Sequence, residues 1–197
     1  MSDDRLTRQV TFLVEADRLK NVLRRTPLTD DSRPENSAEH SWHLALAAIT
    51  LAEWAPPGLD LQRVLELVVV HDLVEIDAGD TFAYDTAANH SKVAREQAAA
   101  DRIFGLLPDE QGARVRGLWD EFEAQVSAES RYANALDRLQ ALLQNMQAGG
   151  GSWAAYGITR SQVYARMQPV QAALPDVWPF VESVIERFCA AGAIADG

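Results

Sequence analysis

The sequence contains a single cysteine, Cys189, and no apolar stretch long enough to cross a lipid bilayer. One cysteine cannot form a disulfide within the chain, and its scarcity fits a reducing compartment. A membrane-spanning helix needs about 20 consecutive apolar residues, and the charged stretch MSDDRLTRQV (1–10) lacks the apolar centre of a signal peptide. These features predict a cytoplasmic protein with no membrane partner.

Positive charge is also scarce, because 18 lysines and arginines face 29 aspartates and glutamates, for a formal net charge of −11. Proteins that bind duplex nucleic acid usually carry a basic stripe, and none is visible, which argues against a nucleic-acid partner. The phosphate loop G-x-x-x-x-G-K-[ST] and the serine motif G-x-S-x-G are missing too. A small phosphate can still bind where local cations or a metal reverse the field. The candidate cations are Arg24, Arg25, Arg33 and Arg138.

Helical periodicity runs through almost the whole chain, and no segment alternates as a strand does. A capping box of Asn36 and Glu39 and a cap at Asp60 mark two helix starts. The pattern predicts helices over about 5–23, 37–54, 61–74, 91–106, 109–124, 128–147, 160–173 and 177–191. It predicts loops over 26–37 and 77–90 and a flexible break at the glycine-rich 149–152.

These elements predict an all-α fold, and the length of 197 residues suits one domain over 1–197. We expect its core at about 5–147. The C-terminal helices at about 152–191 should pack on that core or form a dimer contact.

Ionisable residues stand where a helix interior usually excludes them. The segment LVVVHDLVEIDAGD (67–80) carries His71 and Asp72 at the end of the most apolar helix. His40 falls in the first turn of the helix that starts near residue 37, and Asp137 falls in the middle of another apolar helix. Burying an unpaired charge is costly, but two imidazoles and two carboxylates suit one transition-metal ion. An ordinary helix end, or histidines hydrogen-bonded in the core, is the alternative explanation, and chemistry alone leaves it open.

The order H…HD…D resembles the metal motif of the HD-domain phosphohydrolase superfamily. The segments RTPLTDDSRPENSAEHSWH (25–43), VVHDLVEIDAGD (69–80) and LWDEFEAQVSAESRYANALDRLQ (118–140) resemble, more narrowly, the HD-domain 5′-deoxynucleotidases. The likeness spans about residues 5–170. It implies an all-α, commonly dimeric HD-domain helical bundle with a buried site for one divalent metal ion, which is Co, Mn, Ni, Fe, Zn or Mg. The implied ligands are His40, His71, Asp72 and Asp137.

The resemblance also implies roles for residues outside the ligand set. Glu75 matches the family's acid/base residue, and could orient the attacking water or protonate the leaving 5′-oxygen. Asp80 matches an acid close to the sugar and the water. Arg25 matches the phosphate-binding arginine, whose guanidinium suits a phosphate. Arg33 is a second phosphate candidate, with pairing to Glu35 or Glu39 as its alternative.

The chain departs from the family pattern at one position in this region. Some members carry a tryptophan directly after the phosphate-binding arginine, where it helps to exclude a 2′-hydroxyl, but this chain has Thr26. Trp42 or Trp153 could take over that aromatic wall. Phe82 and Tyr84 could line the pocket or only anchor their loop.

The expected reaction is hydrolysis of a nucleoside 5′-monophosphate to a nucleoside and phosphate by a metal-dependent homodimer. Two alternatives stay open. One is an HD phosphohydrolase that acts on a phosphodiester, a signalling nucleotide or a non-nucleotide phosphomonoester. The other is a dimer that binds nucleotides without catalysis. Arg25, Glu75 and Asp80 favour the nucleotidase, whereas Thr26 weakens the case for strict deoxyribose preference.

Overall fold

The computed structural model describes the backbone of residues 2–196 and the side chains of residues 4–85 and 91–196. Its described elements are α-helical apart from short 3₁₀ turns and one small sheet, so the all-α prediction is confirmed. The helices are α1 (Ser2–Ala16), α2 (Ser37–Thr50), α3 (Leu61–Val70), α4 (Glu75–Ala78), α5 (Thr86–Phe104), α6 (Asp109–Ala124), α7 (Ala128–Gln147), α8 (Gly151–Tyr156), α9 (Arg160–Ala173) and α10 (Trp178–Ala190).

No helix in the described part of the chain is both long and apolar enough to cross a membrane. The sequence predicts a solvated side chain for His90, which lies outside the described side chains.

Side-chain caps explain where several helices begin. Asn36 Oδ1 accepts a hydrogen bond from Glu39 N at 2.9 Å, and Glu39 Oε2 accepts one from Asn36 N at 3.2 Å. This capping box starts α2 where the sequence predicts it. Asp60 caps α3 by accepting from Arg63 N at 3.2 Å, as predicted. Both caps satisfy backbone N–H groups that have no partner within the helix.

The core lies around α3 and α7. One hydrophobic cluster extends along the described chain from Leu19 to Ile194. Leu67 and Val68 of α3 and Tyr132 and Leu136 of α7 are completely buried in it. Helix α7 packs against α2, α3, α6, α8, α9 and α10. The C-terminal helices therefore pack on the same core helix that carries Asp137.

The N-terminal region differs from its prediction. The first helix ends at Ala16 instead of residue 23, and a 3₁₀ turn over Asp17–Asn21 follows. Strands β1 (Leu23–Pro27) and β2 (Pro34–Asn36) then form a two-stranded antiparallel sheet, where the sequence predicts only a loop. These strands are too short and too polar for apolar alternation to reveal them, and their prolines stand at strand ends, where proline is tolerated.

Two further boundaries were wrong. Helix α3 stops at Val70, and turns over 71–74 separate it from α4. Helix α5 begins at Thr86, so the predicted loop over 77–90 shortens to about 79–85. His71 and Asp72 therefore lie at the junction between α3 and α4.

The glycine-rich segment interrupts the helices, as the sequence predicts, and two of its glycines lie in close contact with neighbouring residues. Gly149, Gly150 and Gly151 all have positive φ, which glycine adopts without a steric penalty. A Cβ added to Gly150 would lie 2.8 Å from Ala193 Cβ, and one added to Gly151 would lie 2.5 Å from Asn145 Oδ1. These glycines therefore let α8 turn back tightly against the end of α7.

Candidate metal centre and cavity

Three of the four predicted metal ligands come together at the junction of α2 and the turn after α3. One donor atom from each of His40, His71 and Asp72 lies within 4.8 Å of the other two, and all three residues are buried. Asp137 reaches the group through His40, because its Oδ1 lies 3.0 Å from His40 Nε2. Two helices and a turn, distant in sequence, thus converge on one polar point inside the core.

The hydrogen bonds of His71 fix which ring nitrogen carries its proton. Nδ1 lies 2.9 Å from the carbonyl oxygen of Val68, which can only accept, so Nδ1 is the N–H. In the neutral ring, Nε2 then presents a lone pair. It is buried without a hydrogen-bond partner among the described residues, and it lies 3.0 Å from Asp72 Oδ1. Two acceptors at this distance repel each other unless a cation lies between them.

His40 repeats the arrangement through a longer chain of contacts. Its Nδ1 lies 3.0 Å from Gln140 Oε1, and Gln140 Nε2 donates to Glu35 Oε1 at 2.9 Å. Because the Glu35 carboxylate can only accept, the Gln140 oxygen must face His40, and Nδ1 is again the N–H. The lone pair of Nε2 therefore faces Asp137 Oδ1 at 3.0 Å.

This donor set fits a divalent transition metal. Neutral imidazoles and ionised carboxylates are the forms that bind such ions. The second ring nitrogen of each histidine bonds to an oxygen, as is usual for histidine ligands. His40, His71 and Asp72 would supply three donors, and Asp137 stays the predicted fourth.

The pKa shifts of these groups also indicate that the site favours a cation. Burial alone would lower the pKa of His71, but the adjacent Asp72 carboxylate raises it to about 9. Burial would raise the pKa of Asp137, but its contact with His40 and the charge of Arg166 hold that pKa well below its usual range. The carboxylates thus favour a cation, whether proton or metal ion, at the imidazole nitrogens.

Arg24 lies among the acids of the site. Its guanidinium is 3.1 Å from Asp72 Oδ2, 3.8 Å from Asp80 Oδ1 and 3.9 Å from Asp137 Oδ1, while Nε is 3.5 Å from Glu35 Oε2. Burial opposes its charge, but the charge of Asp72, followed by that of Glu75, keeps the pKa of Arg24 above its usual value. Successive residues of a strand point to opposite faces, so Arg24 of β1 points toward these acids and Arg25 points away from them.

The two predicted catalytic acids lie beside this centre. Glu75 is 7% exposed, and its Oε2 accepts a hydrogen bond from Ser37 Oγ at 2.6 Å. Burial, followed by the charge of Asp72, raises the pKa of Glu75 well above its usual value. Burial also raises the pKa of Asp80, which stands in the wall of the adjacent cavity. The raised pKa favours the protonated form of Glu75, which is the form that a general acid needs.

A cavity of about 570 Å³, counted up to its open mouth, adjoins the centre. Four arginines line it, two from β1, one from α7 and one from α9: Arg24, Arg25, Arg138 and Arg166. The cavity is therefore strongly cationic although the protein as a whole is acidic.

The two predicted phosphate-binding arginines separate in space. Arg25 lines the cavity, and its Nη1 donates to Tyr156 Oη at 3.0 Å while the guanidinium stacks on that ring. Arg33 does not line this cavity. It makes two hydrogen bonds to Glu39, of 2.9 and 2.6 Å, in a half-exposed position. Arg33 therefore pairs with Glu39, which is the alternative to phosphate binding that the sequence left open.

Aromatic residues close one side of the cavity. Trp153 is buried and lines it together with Phe82 and Tyr84, whereas Trp42 is 66% exposed on the outside of α2. Thr26 is buried in the same wall. Of the two tryptophans considered as substitutes for the missing aromatic wall, Trp153 is the one that the fold brings to the cavity.

Three functional candidates were not predicted from the sequence: Glu35, Gln140 and Arg166. Glu35 is 1% exposed, and its Oε1 accepts hydrogen bonds from Gln140 and Gln144 at 2.9 and 2.6 Å. The spacing of Gln140 from Asp137, one helical turn, could have indicated that both face the same site. Nothing local marked Arg166, since only the packing of α9 on α7 brings it to the cavity.

The sequence of this chain is similar to those of known proteins. A family model described as HD domain matches residues 16–178. The protein named 5′-deoxynucleotidase HDDC2 from Xenopus laevis is 30% identical over 140 residues, which is 68% of each chain. The human protein of that name is 32% identical over 132 residues, 64% of this chain and 63% of the relative. The chain thus spans about two thirds of the length of these curated relatives.

One solved structure matches nearly the whole chain. It is the crystal structure of a protein from Magnetospirillum magnetotacticum MS-1 named as a predicted metal-dependent phosphohydrolase. The two chains are 44% identical, superpose with a TM-score of 0.95, and cover 99% of this chain and 98% of the other. The arrangement of helices around the polar centre is therefore shared with that protein.

Proposed function

Since the chain belongs to the HD domain family, we propose that it is a metal-dependent phosphohydrolase that removes phosphate from nucleoside 5′-monophosphates. The observation that carries the proposal is that Nε2 of His40 and Nε2 of His71 each face a carboxylate oxygen at 3.0 Å, while Nδ1 of each ring bonds to another oxygen. Relatives named as 5′-deoxynucleotidases and a solved structure named as a metal-dependent phosphohydrolase support the same activity.

One divalent metal ion would be held by His40, His71, Asp72 and Asp137. When bound, such an ion lowers the pKa of water and neutralises charge on a phosphoryl group. The predicted metals are Co, Mn, Ni, Fe, Zn and Mg. The second nitrogens of the two imidazoles stay bonded to Val68 and Gln140, which keeps both rings oriented toward the centre.

Glu75 is the proposed general acid. The oxygen of water forms a new bond to phosphorus while the bond from phosphorus to the 5′-oxygen breaks, and the proton on Glu75 passes to that leaving oxygen. The protons of the water stay on the released phosphate, and solvent returns a proton to Glu75. The products are a nucleoside and inorganic phosphate. The raised pKa of Glu75 supports this assignment, because burial and the Asp72 charge both favour its protonated form.

The remaining predicted residues bind the substrate in this proposal. Asp80, in the cavity wall, accepts a hydrogen bond from the sugar 3′-hydroxyl, and Arg25 contacts the phosphate from the cavity mouth. Arg33 is engaged by Glu39 outside the cavity, so it reaches a phosphate only if that pair opens. Trp153 and Thr26 together form the wall that decides between deoxyribose and ribose.

Phosphate release tests the proposal directly. The panel contains 5′-deoxynucleotides, 5′-ribonucleotides and 3′-nucleotides, each without metal and with Co²⁺, Mn²⁺, Ni²⁺, Zn²⁺ or Mg²⁺. We expect metal-dependent release from 5′-monophosphates that is lost in Asp72→Ala and Glu75→Gln but kept in Glu110→Gln, which alters an exposed acid. Folded, metal-loaded protein that releases no phosphate from any 5′-monophosphate would exclude this substrate class.

We also propose that the protein is a homodimer in the cytoplasm. Trp42, Leu46 and Ile49 are 66%, 46% and 55% exposed and lie about one turn apart on α2. An exposed apolar stripe of this kind usually marks a contact surface, and a second copy of the same helix would cover it symmetrically. Sedimentation equilibrium should show a dimer for the native chain and a monomer for Trp42→Glu; a native monomer contradicts this part.

A further inference from the structure

Asp137 faces two different surroundings with its two carboxylate oxygens. Oδ1 lies 3.0 Å from His40 Nε2, on the side of the metal centre. Oδ2 lies 3.4 Å from Arg166 Nη2 and 3.7 Å from Arg138 Nη1. Because both arginines also line the cavity, a single carboxylate joins the metal centre to a pair of guanidinium groups on α7 and α9.

The charge on these two arginines exceeds that of their partner. Within the described side chains, Asp137 is the carboxylate within 4.0 Å of either guanidinium, and it is shared between both. A metal ion bound at Oδ1 would be partly neutralised by the same negative charge of Asp137. Two partly buried guanidiniums thus share one carboxylate, which also faces the metal centre. This leaves an excess of positive charge that an anion in the cavity can neutralise.

Arg138 is held in position before any ligand arrives. Its Nη1 donates to the Asn134 carbonyl oxygen at 2.7 Å and to Asn134 Oδ1 at 3.0 Å. Its side chain is 11% exposed, and that of Arg166 is 33% exposed. A fixed arginine loses little freedom on binding and presents its N–H groups in a planar fork suited to phosphate oxygens.

We infer that Arg138 and Arg166 form a clamp for a phosphate dianion next to the metal centre, and that the site therefore selects phosphate monoesters over phosphodiesters. A monoester carries two negative charges on its terminal oxygens, which match the two guanidiniums. A diester carries one charge and has one fewer terminal oxygen to accept their hydrogen bonds. The inference rests on the proposed function for the identity of the group that carries the phosphate, but the clamp itself binds phosphate without catalysis.

Calorimetric titration of the metal-loaded protein tests the clamp. The probes are inorganic phosphate and dimethyl phosphate at a mildly alkaline pH, where the first is mainly a dianion and the second a monoanion. We expect the native protein to bind phosphate about tenfold or more tightly than dimethyl phosphate. Arg166→Gln should abolish most of that preference, and Arg166→Lys should restore part of it by returning the charge without the fork.

Controls separate binding from folding and from metal affinity. Arg166→Gln alters a side chain that is a third exposed, so it should fold, whereas Arg138→Gln needs a thermal unfolding measurement beside it. Arg114→Gln removes an exposed arginine paired with Glu66 and should leave the preference unchanged. An unchanged preference in Arg166→Gln overturns the clamp, as does a loss that follows metal affinity alone. Arginine-dependent phosphate binding with no release from any 5′-monophosphate keeps the clamp and removes the nucleotidase.

Discussion

The Ser37 hydroxyl donates a hydrogen bond of 2.6 Å to Oε2 of Glu75, inside the protein and away from solvent. It joins the first turn of α2 to the first residue of α4, on either side of the candidate metal centre. This contact lowers the pKa of Glu75, whereas burial and the Asp72 charge raise it. Ser37 therefore offers a way to shift the titration of Glu75 without removing its carboxyl group.

The substitution Ser37→Ala should move the alkaline limb of the pH–rate profile to higher pH. Without its donor, the Glu75 carboxylate is less stable and its pKa rises further. A general acid is active while protonated, so activity persists until pH exceeds that higher pKa. The profile of phosphate release against pH measures the shift.

The matched control for that substitution is Ser41→Ala. Ser41 lies on the same helix face, and its hydroxyl donates to the Ser37 carbonyl oxygen at 3.0 Å. It should leave both limbs of the profile in place. If Ser37→Ala moves the acid limb upward instead, Glu75 acts as a base that orients water.

Metal removal should destabilise the protein, and replacing His71 should abolish the response to metal. Binding to the folded state alone adds about 2.7 kcal/mol when metal exceeds its dissociation constant about a hundredfold. We expect added Co²⁺ or Mn²⁺ to raise the melting temperature of the native chain but not of His71→Ala. Elemental analysis of the purified variants gives the metal content independently. Equal metal content in both proteins would remove His71 from the ligand set.

Glu35→Gln should weaken metal binding although residue 35 is not a predicted ligand. The NH₂ group of the amide would face His40 Nδ1 and Arg24 Nε, which lie 3.4 and 3.5 Å from the native Oε2, or, after a half turn, the side-chain N–H groups of Gln140 and Gln144 that bond to the native Oε1. Donors would then face donors, and Arg24 would lose a countercharge. We expect a loss of about 10- to 100-fold in metal affinity, measured by competition with a chelating dye.

A stability measurement accompanies that variant, because a buried polar mismatch costs about 1–3 kcal/mol. Glu53→Gln changes an exposed acid after α2 and serves as the control. Native metal affinity in a folded Glu35→Gln protein would mean that the carboxylate has no part in positioning His40.

Gly151→Ala should destabilise the chain more than Gly157→Ala does. Both glycines have positive φ, so both substitutions carry the left-handed penalty of about 1–2 kcal/mol. Only at Gly151 would the new Cβ collide, at 2.5 Å from Asn145 Oδ1, which also accepts hydrogen bonds from Ser152 N and Oγ. At Gly157 no described atom lies within 4 Å of the new Cβ.

Chemical denaturation of the two glycine variants measures the difference. We expect an additional cost of about 1–3 kcal/mol for Gly151→Ala. Because Trp153 lies two residues further on and forms a wall of the cavity, that variant should also lose affinity for phosphate. Equal stability of the two would show that the contact with Asn145 relaxes without cost.

Local patterns were sufficient for much of the fold. The sequence predicted α6, α7 and α9 with the bounds that the structure shows, and it predicted the start of α2 but not its end. The starts of α2, α7 and α9 are specified by the capping residues Asn36, Ser127 and Thr159. The β1–β2 sheet and the short helix α8 escaped prediction. Their stability comes from contacts with α7 and from glycines that tolerate positive φ, and neither leaves a periodic signal in the sequence.

The sequence by itself determined the chemistry of the centre: two histidines and two aspartates on apolar helices, in an order shared with a family, predict one metal ion and a nearby acid. Only the tertiary structure decided which arginines lie beside these candidate ligands. Arg24 and Arg166 lie at the centre and Arg33 outside it, because strand direction and helix packing, and not spacing along the chain, aim a long side chain. The same packing brings Gln140 of α7 against His40 of α2, since these two helices meet only in the folded core.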